Sequence, residues 1–167
     1  MRFPIGSGLP GRAWERGCTQ VCCDITTSPG FLRSTAAEND GLRRGVAIPL
    51  IAGHQLHGVA LLLSGDGNHL FRACEHWEPC PDGRLQRVSA CFQRADELEE
   101  AGRRLRPAPG QGLLGRAWAS RRPVIAERFN ADRFLRADPA ASLGYQGALA
   151  IPVLVDDDLR SVALLLW

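Results

Sequence analysis

Residues 41–63 read GLRRGVAIPLIAGHQLHGVALLL. Two apolar runs rich in Val, Ile and Leu flank the short polar break AGHQL, the pattern of two strands joined by a hairpin turn. Pro49 removes a ladder donor, so it belongs near a strand end or on an edge. The second run, HGVALLLSG, is almost continuously apolar and predicts a central strand, buried on both faces. What decides the fold is that the chain carries this hairpin again. GALAIPVLV over 147–155 is followed by the turn DDDL and then by RSVALLLW, which ends at Trp167. Pro152 takes the place of Pro49.

The likeness extends outward. FLRSTAAENDGLRRGVAIPL from Phe31 is matched by FLRADPAASLGYQGALAIPV from Phe134, and GLPGRAW from Gly8 by GLLGRAW from Gly112. The blocks recur in one order with one residue of slippage, which is the mark of an internal duplication. Each copy reads as a turn and short helix, a short extended piece (TQVCCDI or PVIAERF), a second helix over 31–40 or 134–143, and the closing hairpin. Pro10 suits an early helical position. Gly17 stops the first helix, and Arg122-Pro123 stops its counterpart. Gly41 and Gly144 end the second helices.

The middle of the chain occurs once. FRACEHWEP and GRLQRVSACFQR flank CPDG, a turn signal, and read as an antiparallel hairpin. The expected register sets Ala73 opposite Phe92 and Trp77 opposite Val88 on an apolar face. It sets Cys74 opposite Cys91, His76 opposite Ser89 and Glu78 opposite Arg87 on a polar face. ADELEEAGRRL then reads as a solvated helix. The expected division is a partial unit over 1–67, lacking an opening hairpin, and a complete unit over 68–167.

The chain has 167 residues and a formal charge of +2, which gives no electrostatic footprint for nucleic acid. Every one of the 20 basic residues counted as Lys or Arg is arginine. The absence of lysine excludes Schiff-base chemistry and a P-loop lysine, and it fits a GC-rich bacterial genome. No apolar run reaches the roughly 20 residues that span a membrane, and the N-terminus lacks a signal-peptide core. The six cysteines are expected as reduced thiols in a cytoplasmic protein.

The order of GLPGRAW, a short strand, and GLRRGVAIPLIAGHQLHGVALLL resembles the GAF domain. That resemblance implies an α/β (α+β) fold, an antiparallel sheet flanked by helices, with a ligand pocket under a lid. It also implies a small-molecule sensor or dimerisation module. No cysteine-histidine dipeptide of the bilin-attaching kind is present, and the lysine-containing cyclic-nucleotide signature is absent.

Candidate residues fall into two groups. Arg12, Trp14 and Arg33 in the first copy, and Arg116, Trp118 and Arg136 in the second, are candidates for ligand binding. Tryptophans offer a stacking wall and arginines a bidentate grip on an anion. Core packing for the tryptophans and surface roles for the arginines compete with that reading. Cys18, Cys22 and Cys23 cluster next to Asp24, and Cys74, His76 and Glu78 alternate along one strand with Cys91 opposite. Those thiols and the imidazole are candidates for a metal or a redox pair, against ordinary buried thiols. His54, His57 and the Asp156–Asp158 run read as turn residues.

No nucleophile–base set is visible, so no enzyme and no resident cofactor are expected. The leading expectation is a sensor for an unidentified small molecule, an anion being one option. A ligand-free dimerisation module and a cysteine-dependent reductase of the methionine-sulfoxide type are the alternatives. The sheet edge left by the missing opening strands is expected to be covered by the shared central hairpin or by homodimerisation. The end at Trp167, directly after a strand, fits a piece of a longer tandem protein.

Overall fold

GLPGRAW and GLLGRAW both fold as helices in the computed structural model, which describes residues 4–28, 31, 34–66, 70–93 and 95–167. These are α1 (Gly8–Arg16) and α4 (Gly112–Ser120). Their paired glycines do different jobs. Gly8 and Gly112 have φ of 62° and 59°, the left-handed region that disfavours a Cβ. Gly11 and Gly115 are needed for space. A Cβ would lie 2.5 Å from the Pro4 carbonyl oxygen at Gly11, and 2.0 Å from that of Ala108 at Gly115. In both places the preceding loop folds back over the helix. Gly6 N–H donates to the Gly11 carbonyl at 2.9 Å, and Gly110 N–H to that of Gly115 at 2.7 Å. The repeated heptapeptide is therefore a loop-on-helix packing device. α1 stops at Gly17 (φ 60°), whereas α4 stops at Arg121 (φ 55°), one residue before the expected Arg122-Pro123.

The remaining elements are β1 (Gln20–Cys22), α2 (Ser34–Asn39), β2 (Leu42–Ala52), β3 (Gln55–Gly65), β4 (Ala73–Pro79), β5 (Leu85–Phe92), α3 (Asp96–Arg104), β6 (Val124–Ala126), α5 (Ala137–Ser142), β7 (Ala148–Val155) and β8 (Asp158–Leu166). They build an α+β fold with two antiparallel sheets. One has the order β1-β2-β3 and the other β5-β4-β8-β7-β6. Both closing hairpins form as read. Pro49 and Pro152 pair with Val59 and Val162 on one side, and β1 and β6 end before reaching them on the other. Each proline therefore sits on a local edge, where its missing donor costs nothing. No helix among the described residues is long and apolar enough to cross a membrane.

Three expectations about the strands need correction. β8 is central, but β3 is an edge strand. Its apolar character is used in another way: Leu61 packs toward α1, while Ala60 and Leu62 pack against the five-stranded sheet. The central hairpin is not shared as a sheet extension, because β4 pairs with β8 alone besides β5. Its register holds from Ala73↔Phe92 to His76↔Ser89 and then shifts by one, giving Trp77↔Arg87, Glu78↔Gln86 and Pro79↔Leu85. The irregularity leaves Val88 as the extra residue of a bulge. It also turns Arg87 to the face of Glu75 and away from Glu78.

The two sheets pack face to face. Val46 and Ile48 meet Cys74, Cys91, Val153, Ala163 and Leu165, with Phe71 at one end. The opposite face of the five-stranded sheet buries Trp77, Leu85, Val162, Leu164 and Leu166 under α3, α4 and α5. α3 is not wholly solvated, since Leu98 and Gly102 are buried. Its acidic first turn and basic last turn follow the helix dipole.

Gly115→Ala sets two effects against each other. Alanine gains about 1 kcal/mol of helix propensity, but its Cβ meets a backbone oxygen that cannot swing aside. A net loss of about 2 kcal/mol is expected in urea unfolding, of the size seen for overpacked sites.

Candidate functional site

The first half of the chain leaves a cavity where its helices meet its sheet. About 380 Å³ is enclosed by α1 (Gly8, Leu9, Pro10), Phe31, α2 and the following turn (Ala36, Ala37, Asp40), and strand residues Leu42, Leu61 and Leu63. Among the described lining residues, Asp40 is the one polar side chain. The corresponding place in the second half is filled. Leu105, Leu113, Leu114, Phe134, Leu135 and Arg136 leave only about 10 Å³.

Burial separates the residues paired by the sequence. Trp14 is 42% exposed on α1, whereas Trp118 is half-buried against the helix-side core. Arg12 is half-buried and Arg116 is exposed. Neither lines the cavity. Arg33 lies outside the described residues.

Arg136 is buried at the start of α5, and its guanidinium grips Glu75 with two hydrogen bonds of 2.8 Å. It also donates to the Leu98 carbonyl at 3.1 Å. Glu75 is fully buried on β4 and accepts further bonds from Trp77 Nε1 at 2.8 Å and Arg87 Nη1 at 3.2 Å. Arg87 in turn donates to the Glu99 carbonyl at 2.8 Å. A Cβ on Gly102 would meet Arg87 Nη1 at 2.4 Å and Arg136 Nη1 at 2.7 Å, so this glycine lets α3 close over the pair. Sequence reading missed Glu75. The available signal was an acid on the strand face shared with Ala73 and Trp77, a position that requires a partner.

The cysteine and histidine candidates split into two groups at the seam between the sheets. Cys74 and Cys91 face each other across β4 and β5, and Cys23 reaches them from the loop after β1, bonding the Ala90 carbonyl at 3.3 Å. Cys23 is raised well above the ordinary thiol range by hydrogen bonding with Cys91 and by burial. For Cys91, the hydrogen bond with Cys23 pulls its pKa down. The bond with Cys74 and burial outweigh this, and Cys91 is pushed up to about 12. Cys22 points elsewhere, against Leu9, Ala13 and Ala47.

The second group joins Cys18, His76 and Glu78, whose ligand atoms all lie within 4.8 Å of one another. The expected convergence of Cys74, His76, Glu78 and Cys91 on one point is therefore corrected. Cys74 is engaged by Cys91 across the strand pair, while His76 meets Glu78 on its own strand and Cys18 from the connection after α1, so Cys74 and His76 serve separate clusters. Burial, followed by the charge of Glu78, raises the Cys18 thiol. Burial lowers His76, against the opposing pull of Glu78, and so favours the neutral ring. His54 and Asp156 pair across the two hairpin turns, in keeping with turn roles.

A thiol at about 12 is almost wholly protonated at pH 8, with about one molecule in 10⁴ as thiolate. Cys91 is therefore expected to resist iodoacetamide in the native protein at pH 8 and to react only after unfolding, as read by mass spectrometry of the digested protein. Rapid native labelling of Cys91 would instead favour the cysteine-dependent reductase.

Comparison with known proteins adds one family. Residues 77–165, more than half of the chain, match the model described as GAF domain. Among solved structures, the chain is similar to the GAF domain of an Acinetobacter phosphoenolpyruvate-protein phosphotransferase, at 15% identity and TM-score 0.43, over 57% of this chain and 54% of that one. It is similar to the GAF domain/HD domain protein from Geobacter sulfurreducens at 13% identity and TM-score 0.48, over 59% and 63%. It is similar to the free methionine-R-sulfoxide reductase from Neisseria meningitidis at 16% identity and TM-score 0.43, over 57% and 52%. The chain thus spans little more than half the length of the first of these structures. No curated protein matches it.

Proposed function

The chain belongs to the GAF domain family, and on that premise we propose that it is a sensory or regulatory module whose small-molecule ligand enters the cavity between α1, α2 and the β2–β3 hairpin. The observation that carries this reading is the cavity itself. Its 380 Å³ lies within the range of small-molecule pockets, and it is larger than the voids a well-packed interior leaves. The lining supports a ligand with a mainly apolar body and a donor or positive group toward Asp40. Support for an anion is weaker. Arg12 and Arg116 lie outside the lining and Arg136 is held by Glu75.

Residues 1–67 and 68–167 are read as two copies of one unit, the first without its opening hairpin. In support, both halves run helix, short strand, helix, strand, strand, and β1-β2-β3 has the antiparallel order of β6-β7-β8. A cytoplasmic bacterial setting and a homodimer, with a second copy at the outer edge of β3, belong to the same reading. A scaffold without ligand is the competitor.

The neutral fluorophore N-phenyl-1-naphthylamine tests the cavity. Saturable binding is expected in the native chain. Ala36→Trp, at an exposed helix position that lines the cavity, is expected to weaken it by about tenfold or more, equivalent to about 1.4 kcal/mol, with the melting temperature retained. Absence of binding, or equal binding to the variant, favours the scaffold.

A further inference from the structure

The seam between the sheets holds a second site, separate from the cavity. Cys18 stands two residues beyond the end of α1, and His76 and Glu78 share one face of β4. Cys18 and His76 are buried, with 6% and 3% exposure. His76 Nε2 is buried without a hydrogen-bond partner, although Glu78 Oε1 lies 3.1 Å away. This buried nitrogen faces a sulfur and a carboxylate, both ligands for the same kind of ion.

We propose that Cys18, His76 and Glu78 bind a divalent metal ion of the zinc class. A thiolate, an imidazole and a carboxylate form a borderline-soft donor set that suits zinc and excludes magnesium and calcium, which take oxygen ligands. Donors around a tetrahedral zinc ion stand roughly 3.3–3.7 Å apart. The group, already within 4.8 Å, needs a contraction of at most about 1.5 Å. The Glu78 side chain is 40% exposed, which lets it adjust around an ion and gives the ion a path from solvent. Three protein ligands leave a fourth position for water.

The surroundings hold the ligands in place. Gln20 Nε2 donates to Cys18 Sγ at 3.3 Å, an outer contact of the kind that orients a metal-bound sulfur. The next residue is pinned to β8: Thr19 N–H donates to Ser161 Oγ at 3.1 Å, and the Ser161 hydroxyl bonds Thr19 Oγ1 at 3.2 Å. Arg16 is the charge that opposes a cation, acting on both Cys18 and His76. It is exposed and therefore screened. Because Cys18 follows α1 while His76 and Glu78 belong to β4, the ion ties a wall of the cavity to the five-stranded sheet. Metal occupancy thereby stiffens the ligand pocket from outside it.

The test uses the full chain, freed of metal by a chelator and kept reduced, and titrated with Co²⁺ as the spectroscopic probe and then with Zn²⁺. One equivalent of Co²⁺ is expected to bind with a thiolate-to-cobalt charge-transfer band that Zn²⁺ abolishes by displacement. Cys18→Ser is expected to remove the band. Glu78→Gln, at a half-buried position that should still fold, is expected to weaken binding by about 10-fold to 100-fold or more, at least as much as loss of an outer contact. Cys91→Ser, in the neighbouring thiol cluster, is expected to leave the band intact. No saturable band, a band that survives both Cys18→Ser and Glu78→Gln, or a band lost in Cys91→Ser would overturn the proposal. If Cys18→Ser fails to fold, Glu78→Gln decides. None of these readouts depends on a ligand in the cavity.

Discussion

The centre of the five-stranded sheet is covered on both faces, and the rest of the molecule is arranged around that constraint. Ser161–Leu166 of β8 are buried on both sides. One side is covered by α3, α4 and α5 and the other by the β1-β2-β3 sheet. An antiparallel sheet commonly keeps one face in water. Here the second sheet supplies the cover that would otherwise have to come from further helices. Packing sheet on sheet brings the connection after α1 down onto β4, which is why Cys18 meets His76 and Cys23 meets Cys91. It also leaves α1 and α2 on the outside of the smaller sheet, where they enclose the cavity.

The two halves differ in their cavities for a reason visible in the charges. In the second half, Glu75 gathers Arg136, Arg87 and Trp77 and draws β4, β5, α3 and the start of α5 together. Such a cluster contributes little net stability over an apolar replacement, yet losing one partner leaves a buried charge exposed to the full penalty. Its effect is geometric: the helices are held shut and only a residual void survives. Glu75 makes these contacts toward β5, α3 and the start of α5, and among the described residues none of its hydrogen bonds reaches α1 or α2. In the first half, α1 packs on its sheet through apolar contacts, and a space stays open between α1 and α2.

Much of the fold was legible in the sequence because it is written in local signals. The two closing hairpins follow from apolar runs and turns, and the helix stops at Gly17, Gly41 and Gly144 follow from the left-handed backbone they adopt. The position of β3 was not legible. GVALLL is apolar on both faces, which reads as a central strand. In the structure one face is covered by α1 and the cavity and the other by a second sheet. Burial of both faces reports what lies above and below a strand, not what lies beside it. The bulge after His76 was hidden as well, since a one-residue slip leaves both registers chemically plausible. It decides that Arg87 serves Glu75 and leaves Glu78 available beside His76. The candidate site was partly legible. Cys18 and His76 were each singled out, but their meeting depends on sheet-on-sheet packing that no local pattern encodes.

Differential scanning calorimetry of the full chain tests most directly whether the two sheets form one cooperative body. A single transition is expected, with van't Hoff and calorimetric enthalpies equal. Ile48→Ala, which removes a buried contact at the seam worth about 2–5 kcal/mol, is expected to lower that transition as a whole. Two resolved transitions in the native chain, or an Ile48→Ala variant that shifts only part of the heat absorbed, would contradict the account.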